Sequence, residues 1–145
     1  MENLITTTVR DALKELELNY QEDDCVFEFC IKIEHTNVTV KVFCFEEEEI
    51  LIAVAFSGLY APEDRMDAVC RWICERNIRS KIGNYNVDAE DGEVSFRISC
   101  PLDGGAMNAD IAKVAVLNAV KRMDDDYLDL LKLLYFNEGC HNENP

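Results

Sequence analysis

From Cys25 to Glu34 the side chains alternate in character: Cys25, Phe27, Phe29, Ile31 and Ile33 share one parity, with Glu28, Lys32 and Glu34 on the other. A period of two places the sets on opposite faces of a strand. After the turn-forming His35-Thr36-Asn37, the residues Val38, Val40, Val42 and Cys44 alternate with Thr39, Lys41, Phe43 and Phe45, which predicts a second, antiparallel strand. The acidic run Glu46 to Glu49 separates it from a third strand, Ile50 to Ser57, whose core "ILIAVAF" is too short to cross a bilayer as a helix. Alternation resumes on both sides of Asp91-Gly92, with Tyr85 and Val87 before it and Val94, Phe96 and Ile98 after it, so this segment is a hairpin.

Three other segments carry the helical period. Thr6 to Leu18 places Val9, Ala12, Leu13 and Leu16 on a stripe behind threonines that can cap free N–H groups. Pro62, followed by Glu63 and Asp64, opens a second helix running to about Asn77. Its stripe is Met66, Val69, Cys70, Ile73 and Cys74, with Trp72 off the stripe, either packed at the helix shoulder or facing a partner. Asn108 can cap a third helix through "ADIAKVAVLNAVKRM", which "DDDYLDLLKLLYF" either extends or follows as a new segment. These elements predict an α+β fold: a single antiparallel sheet of about five strands with three helices, in the order α-β-β-β-α-β-β-α. Residues 1–137 form one domain, and 138–145 form a flexible polar tail.

Charge narrows the class of partner. Twenty-nine acidic residues against fourteen basic ones give a net charge of −15 across 145 residues. Such a field disfavours nucleic acid and anionic membrane, and speeds encounter with a basic partner. The start "MENLITTTVR" shows no basic segment followed by an apolar run, so the expected location is cytoplasmic. Seven cysteines are an odd number, and Cys25, Cys30, Cys44, Cys70, Cys74 and Cys100 sit in apolar-patterned segments where a reduced thiol acts as a small hydrophobe.

The candidate chemistry is negative at each motif. If Gly92 held the invariant glycine place of a calcium loop, the first and third ligands would fall on Val87 and Ala89, which offer no side-chain oxygen, so "DAEDGE" is a turn. "EEEE" reads as a solvated hairpin tip, with a cation or basic-peptide site as the alternative. Cys70 and Cys74 share a helix face but lack further zinc ligands, and "PLDGG" lacks the lysine of a phosphate loop. His35 lies in a turn and His141, beside Cys140, in the tail, neither placed to serve a nucleophile. No catalytic residue, metal or cofactor is expected.

The positive signal is apolar surface in excess of what one layer can hide. The strand faces read as outer carry Val26, Cys30, Phe43, Phe45, Leu51, Ala53 and Ala55, and the last helix carries apolar residues on more than one stripe. Phe43, Phe45, Leu51, Trp72, Tyr127, Leu131 and Tyr135 are therefore the candidate protein-binding residues, and a homodimer is the economical way to cover a second apolar face. The competing arrangement has helices of the same chain on both sheet faces.

"RMDAVCRWICERNIRSKIGNYNVDAEDGEVSFRI", with Asn77, Gly83, Tyr85, Val87 and Gly92, resembles the run from the second helix into the hairpin of the YbjN-like family, whose fold is similar to type III secretion chaperones. Tyr127 and Leu130 resemble its C-terminal pattern, and the resemblance spans Leu4 to Phe136. Leu128 departs from it, standing where the family commonly has proline. The resemblance implies a small bacterial sensory-transduction regulator without catalytic residues, and the chaperone likeness implies a dimer that engages an extended client. The expected function is thus a non-enzymatic regulatory or chaperone-like binding protein. The alternatives are an immunity-type or structural subunit capping one partner, and a small enzyme with a dispersed site.

Overall fold

The alternating segments pair as their patterns require. The computed structural model describes residues 4–102 and 108–136. In it α1 (Leu4–Glu15) precedes β1 (Tyr20–Asp23), β2 (Val26–Lys32), β3 (Asn37–Phe45) and β4 (Ile50–Tyr60). A short 3-10 turn, Glu63–Arg65, leads into α2 (Met66–Arg79), followed by β5 (Asn84–Val87), β6 (Glu93–Pro101) and α3 (Ala109–Tyr135). All strands join one antiparallel sheet in the order β1-β2-β3-β4-β6-β5.

The sheet has six strands rather than about five, because β1 carries no alternation to read. Its sequence, Tyr-Gln-Glu-Asp, is polar on both faces and only Tyr20 is partly covered. A tight connection through Asp24 and Cys25, both with positive φ (48° and 57°), folds it back on β2, so Cys25 belongs to the turn and not to the strand. The helix boundaries also move. The first helix already includes Leu4, and the third runs unbroken past Leu128, with the Asn108 side chain accepting the Ile111 N–H at 3.0 Å as its cap.

All three helices pack on one face of the sheet. The core joins Val9 and Leu13 of α1, Val69 and Ile73 of α2, and Val116, Met123 and Leu130 of α3 to Phe27, Val40, Val42, Leu51, Ala53 and Phe96 of the strands. Covering both sheet faces, the alternative arrangement, is not how these helices are spent.

Asn77 locks α2 to β5: its side-chain oxygen accepts the Tyr85 N–H at 2.7 Å and its amide donates to the Tyr85 carbonyl at 3.1 Å. "DAEDGE" is the turn its pattern predicts. Asp88 and Asp91 accept the N–H groups of Glu90 and Glu93, and Gly92 holds φ +83° where an added Cβ would stand 2.5 Å from the Ala61 carbonyl oxygen.

The acidic run Glu46 to Glu49 proves to be more than a solvated tip. Glu46 reaches the first turn of α1, accepting the Ile5 N–H at 3.0 Å, the Thr6 N–H at 2.7 Å and the Thr6 hydroxyl at 2.8 Å. A carboxylate there meets unpaired N–H groups and the positive end of the helix dipole. Glu47, Glu48 and Glu49 remain exposed. The expected tail, 138–145, and most of "PLDGG" lie outside the described residues.

Candidate functional site

The face of the sheet opposite the helices is built from the other parity of the strands. Register sets Val26, Phe43, Ile52 and Ser99 in one row and Glu28, Lys41, Val54 and Arg97 in the next; Cys30, Thr39, Phe56 and Ser95 form the row beyond, and Phe45, Ile50 and Pro101 lie at the end near the acidic turn. None of the apolar members of these rows belongs to the buried core cluster. Val54, 8% exposed, is covered by its neighbours within the sheet and not by a helix. The Phe43 and Phe45 rings stack 6.4 Å apart, and Lys41 bridges toward Glu28 (3.8 Å) while its ammonium stands 5.7 Å from the Phe56 ring centre. The result is an apolar strip over β3 and β4, with exposed Glu47 to Glu49 at one end. An uncovered apolar sheet face of this kind is the candidate association surface.

A second feature lies between α2 and α3. Trp72 packs on Tyr85 (ring centres 4.9 Å apart), which in turn meets Phe96 edge-on at 4.8 Å. Arg76 lies 4.6 Å over Trp72, and Arg122 lies 5.4 Å from the Phe96 ring. Arg76 pairs with Asp129 at 3.0 Å and Asp126 at 3.8 Å; Arg122 approaches Asp126 at 3.6 Å. The Tyr85 hydroxyl donates to Asp126 at 2.6 Å, and burial, reinforced by that carboxylate, raises its pKa. Trp72, Arg76, Arg122 and Asp126, with Glu75 and Arg79, line an open cleft of about 460 Å3, which Trp72 and Arg76 share with a neighbouring one of about 370 Å3 reaching Arg65, Asp129, Lys132 and Phe136.

The structure distributes the sequence-predicted binding residues between several places. Phe43 and Phe45 lie on the uncovered face as expected, half-buried and exposed respectively. Leu51, with Ala53 and Ala55, does not: all three are fully buried on the helix-covered face, opposite Cys44, Val42 and Val40. The outward residues of β4 are instead Ile50, Ile52, Val54 and Phe56. "ILIAVAF" is apolar in both parities, so only its register with β3 reveals which set faces out. Trp72 sits on the packed side of α2, half-buried, while Cys70 and Cys74, placed on the apolar stripe from sequence, are exposed. Cys30 is exposed on the sheet as well.

Tyr127 faces the core at 8% exposure and Leu131 packs partly against it, so neither is a free surface. Tyr135 keeps its ring exposed, but its hydroxyl clips α3 to the end of β4, accepting the Tyr60 N–H at 3.0 Å and donating to the Tyr60 carbonyl at 2.9 Å. Arg65, unremarked in the sequence, donates two hydrogen bonds to the Leu133 carbonyl, at 2.9 and 2.6 Å, near the end of α3. A lone arginine before a helix gives no sign of a partner 68 residues away.

Among the described residues no group of three or more potential ligands could hold a metal ion, and no helix is long and apolar enough to cross a membrane.

The sequence model of YbjN, a family described as "Putative bacterial sensory transduction regulator", matches residues 6–132. No curated protein matches the chain. Among solved structures, a chain of the HopA1–SchA chaperone–effector complex is similar at TM-score 0.61 with 15% identity, over 88% of this chain and 95% of that one. A chain of the ExsC–ExsE complex is similar at TM-score 0.61 with 12% identity, over 84% and 90% of the two chains. YbjN from E. coli, described as a putative transcription regulator, is similar at TM-score 0.55 with 11% identity, over 92% of each chain. At these identities the likeness is one of fold, and the fold is type III secretion chaperone-like.

Proposed function

The chain belongs to the YbjN family, and from that premise we propose that it is a non-enzymatic, regulatory or chaperone-like binding protein that holds a segment of another polypeptide on its uncovered sheet face. The observation that carries the reading is that face itself: Phe43, Phe45, Ile50, Ile52 and Phe56 stand outside the core with no helix of the chain over them. Its occupant is an apolar segment flanked by basic residues, because exposed Glu47 to Glu49 stand at the end of the strip on a molecule of net charge −15. The working form is a dimer, joined through the exposed side of α3 at Val114 and Leu117 beside Ile82, which leaves the sheet face free. Fold likeness to chains from a chaperone–effector complex supports this reading.

The test uses a synthetic peptide with a leucine–valine centre and lysine flanks, titrated calorimetrically against the whole chain. Binding is expected to weaken at least about tenfold for Phe43→Asp and for Phe45→Asp, with circular dichroism unchanged, and to weaken when the flanks are glutamate. Undiminished binding by both variants would remove the sheet face from the function. A subunit dedicated to capping one partner would use the same face and reject this generic peptide while taking a single stoichiometric protein.

A further inference from the structure

The groove between α2 and α3 differs electrostatically from the rest of the molecule. Arg65, Arg76, Arg79, Arg122 and Lys132, five of the chain's fourteen cations, line its two continuous clefts. Three carboxylates share them, Glu75, Asp126 and Asp129. The latter two are already engaged: Asp126 takes the Tyr85 hydroxyl and faces Arg76 and Arg122, and Asp129 takes Arg76. They hold two guanidinium groups in place, Arg65 is turned to the Leu133 carbonyl, and Arg79 and Lys132 are left without an ion pair among the described residues.

Arg79 is exposed and has no ion pair among the described residues, and the Arg76 Nε is buried without a hydrogen-bond partner. An exposed guanidinium fork without a partner, as at Arg79, selects planar, anionic acceptors, above all carboxylates and phosphates.

We propose that this groove is a second docking site, taking an acidic, extended segment of a partner polypeptide through its aspartate and glutamate carboxylates. Polypeptide is favoured over nucleic acid by three observations. The chain's net charge of −15 opposes a long phosphate backbone, whereas a short acidic segment brings only a few charges into that field. The groove alternates cations with carboxylates instead of presenting a continuous basic track. Trp72, the aromatic residue common to both clefts, already has Arg76 over its ring and meets Tyr85 at a 60° tilt, so its ring is engaged within the protein. Site and sheet strip then recognise opposite charges, and the groove does not depend on the strip's being occupied.

Trp72 is the sole tryptophan of the chain and lines both clefts, so its emission reports on the groove directly. The probe is a short poly-glutamate peptide, titrated at roughly 0.1 M salt so that repulsion beyond a Debye length of about 10 Å is screened. A saturable change in emission is expected, with affinity falling at least about tenfold in Arg79→Ala and further in Arg79→Glu, while the thermal midpoint stays at the wild-type value. Arg79→Lys should recover part of the loss, since charge returns without the fork. Four results would overturn the proposal: no response to poly-glutamate, an Arg79→Ala titration matching wild type, a single-stranded oligonucleotide binding as tightly as the peptide, or an emission change that follows protein concentration alone, which would assign the groove to a second copy. Loss of lysine-flanked peptide binding in Phe43→Asp, with the poly-glutamate response intact, separates this site from the sheet face.

Discussion

Cys44 packs on the covered face of β3, where burial raises its thiol pKa from 9.0 to about 12. The folded state therefore prefers the neutral thiol. In the unfolded chain it ionises near 9.0, so its contribution to stability is complete below that pH and is lost as pH climbs through the interval up to about 12. Tyr85, raised by burial and by Asp126, acts with the same sign above its ordinary value of 10.0. Urea midpoints should thus fall between about pH 8 and about pH 10.5, and less steeply for Cys44→Ala, once the smaller starting stability of that variant is allowed for. A wild-type midpoint unchanged over that range would contradict the burial argument. Alkylation followed by mass spectrometry should label exposed Cys30, Cys70 and Cys74 well before Cys44.

At the scale of elements, α1 depends on a residue 40 positions away. Glu46 satisfies the Ile5 and Thr6 N–H groups, and the connection also ties the β3–β4 turn to the helix layer. Glu46→Ala should cost about 1–3 kcal/mol in chemical denaturation, and Glu48→Ala, an exposed neighbour in the same run, within about 0.5 kcal/mol. Equal effects for the two would show that the carboxylate at 46 caps nothing.

The capping carboxylate also marks where sequence reading stops. Alternation located β2, β3 and the β5–β6 hairpin because each sets a wholly apolar parity against one that carries polar residues, and the helical stripes located α1 and α3. A strand polar on both sides, such as β1, or apolar on both sides, such as β4, gives no parity. Composition alone reads Leu51 as outward, whereas the register with β3 turns it inward and Ile52 and Phe56 outward. The uncovered face was legible as an excess of apolar residues, with Phe43 and Phe45 correctly placed on it. The α2–α3 groove was visible only in Trp72, since its arginines are brought together by tertiary packing of separate elements.

For the whole molecule, one sheet with helices on a single side leaves two apolar regions, the strip over β3 and β4 and the exposed flank of α3. Stable dimers commonly bury roughly 800 Å2 per partner. Light scattering at micromolar concentration is expected to give about twice the chain mass of 16.6 kDa. Leu117→Glu, on a side chain 48% exposed, should return the chain mass alone, and Phe43→Asp should leave the doubled value in place. A wild-type chain that scatters as a single copy would refute the dimer.

The outermost strands settle a different question, that of runaway growth. Gln21, Glu22 and Asp23 on β1, and Asn84 and Asn86 on β5, are exposed and polar, and each outer strand is only four residues long. Charged, short borders discourage strand addition from one copy to the next. The greasy face can therefore be presented without inviting fibrils, and the protein should remain clear in concentrated solution.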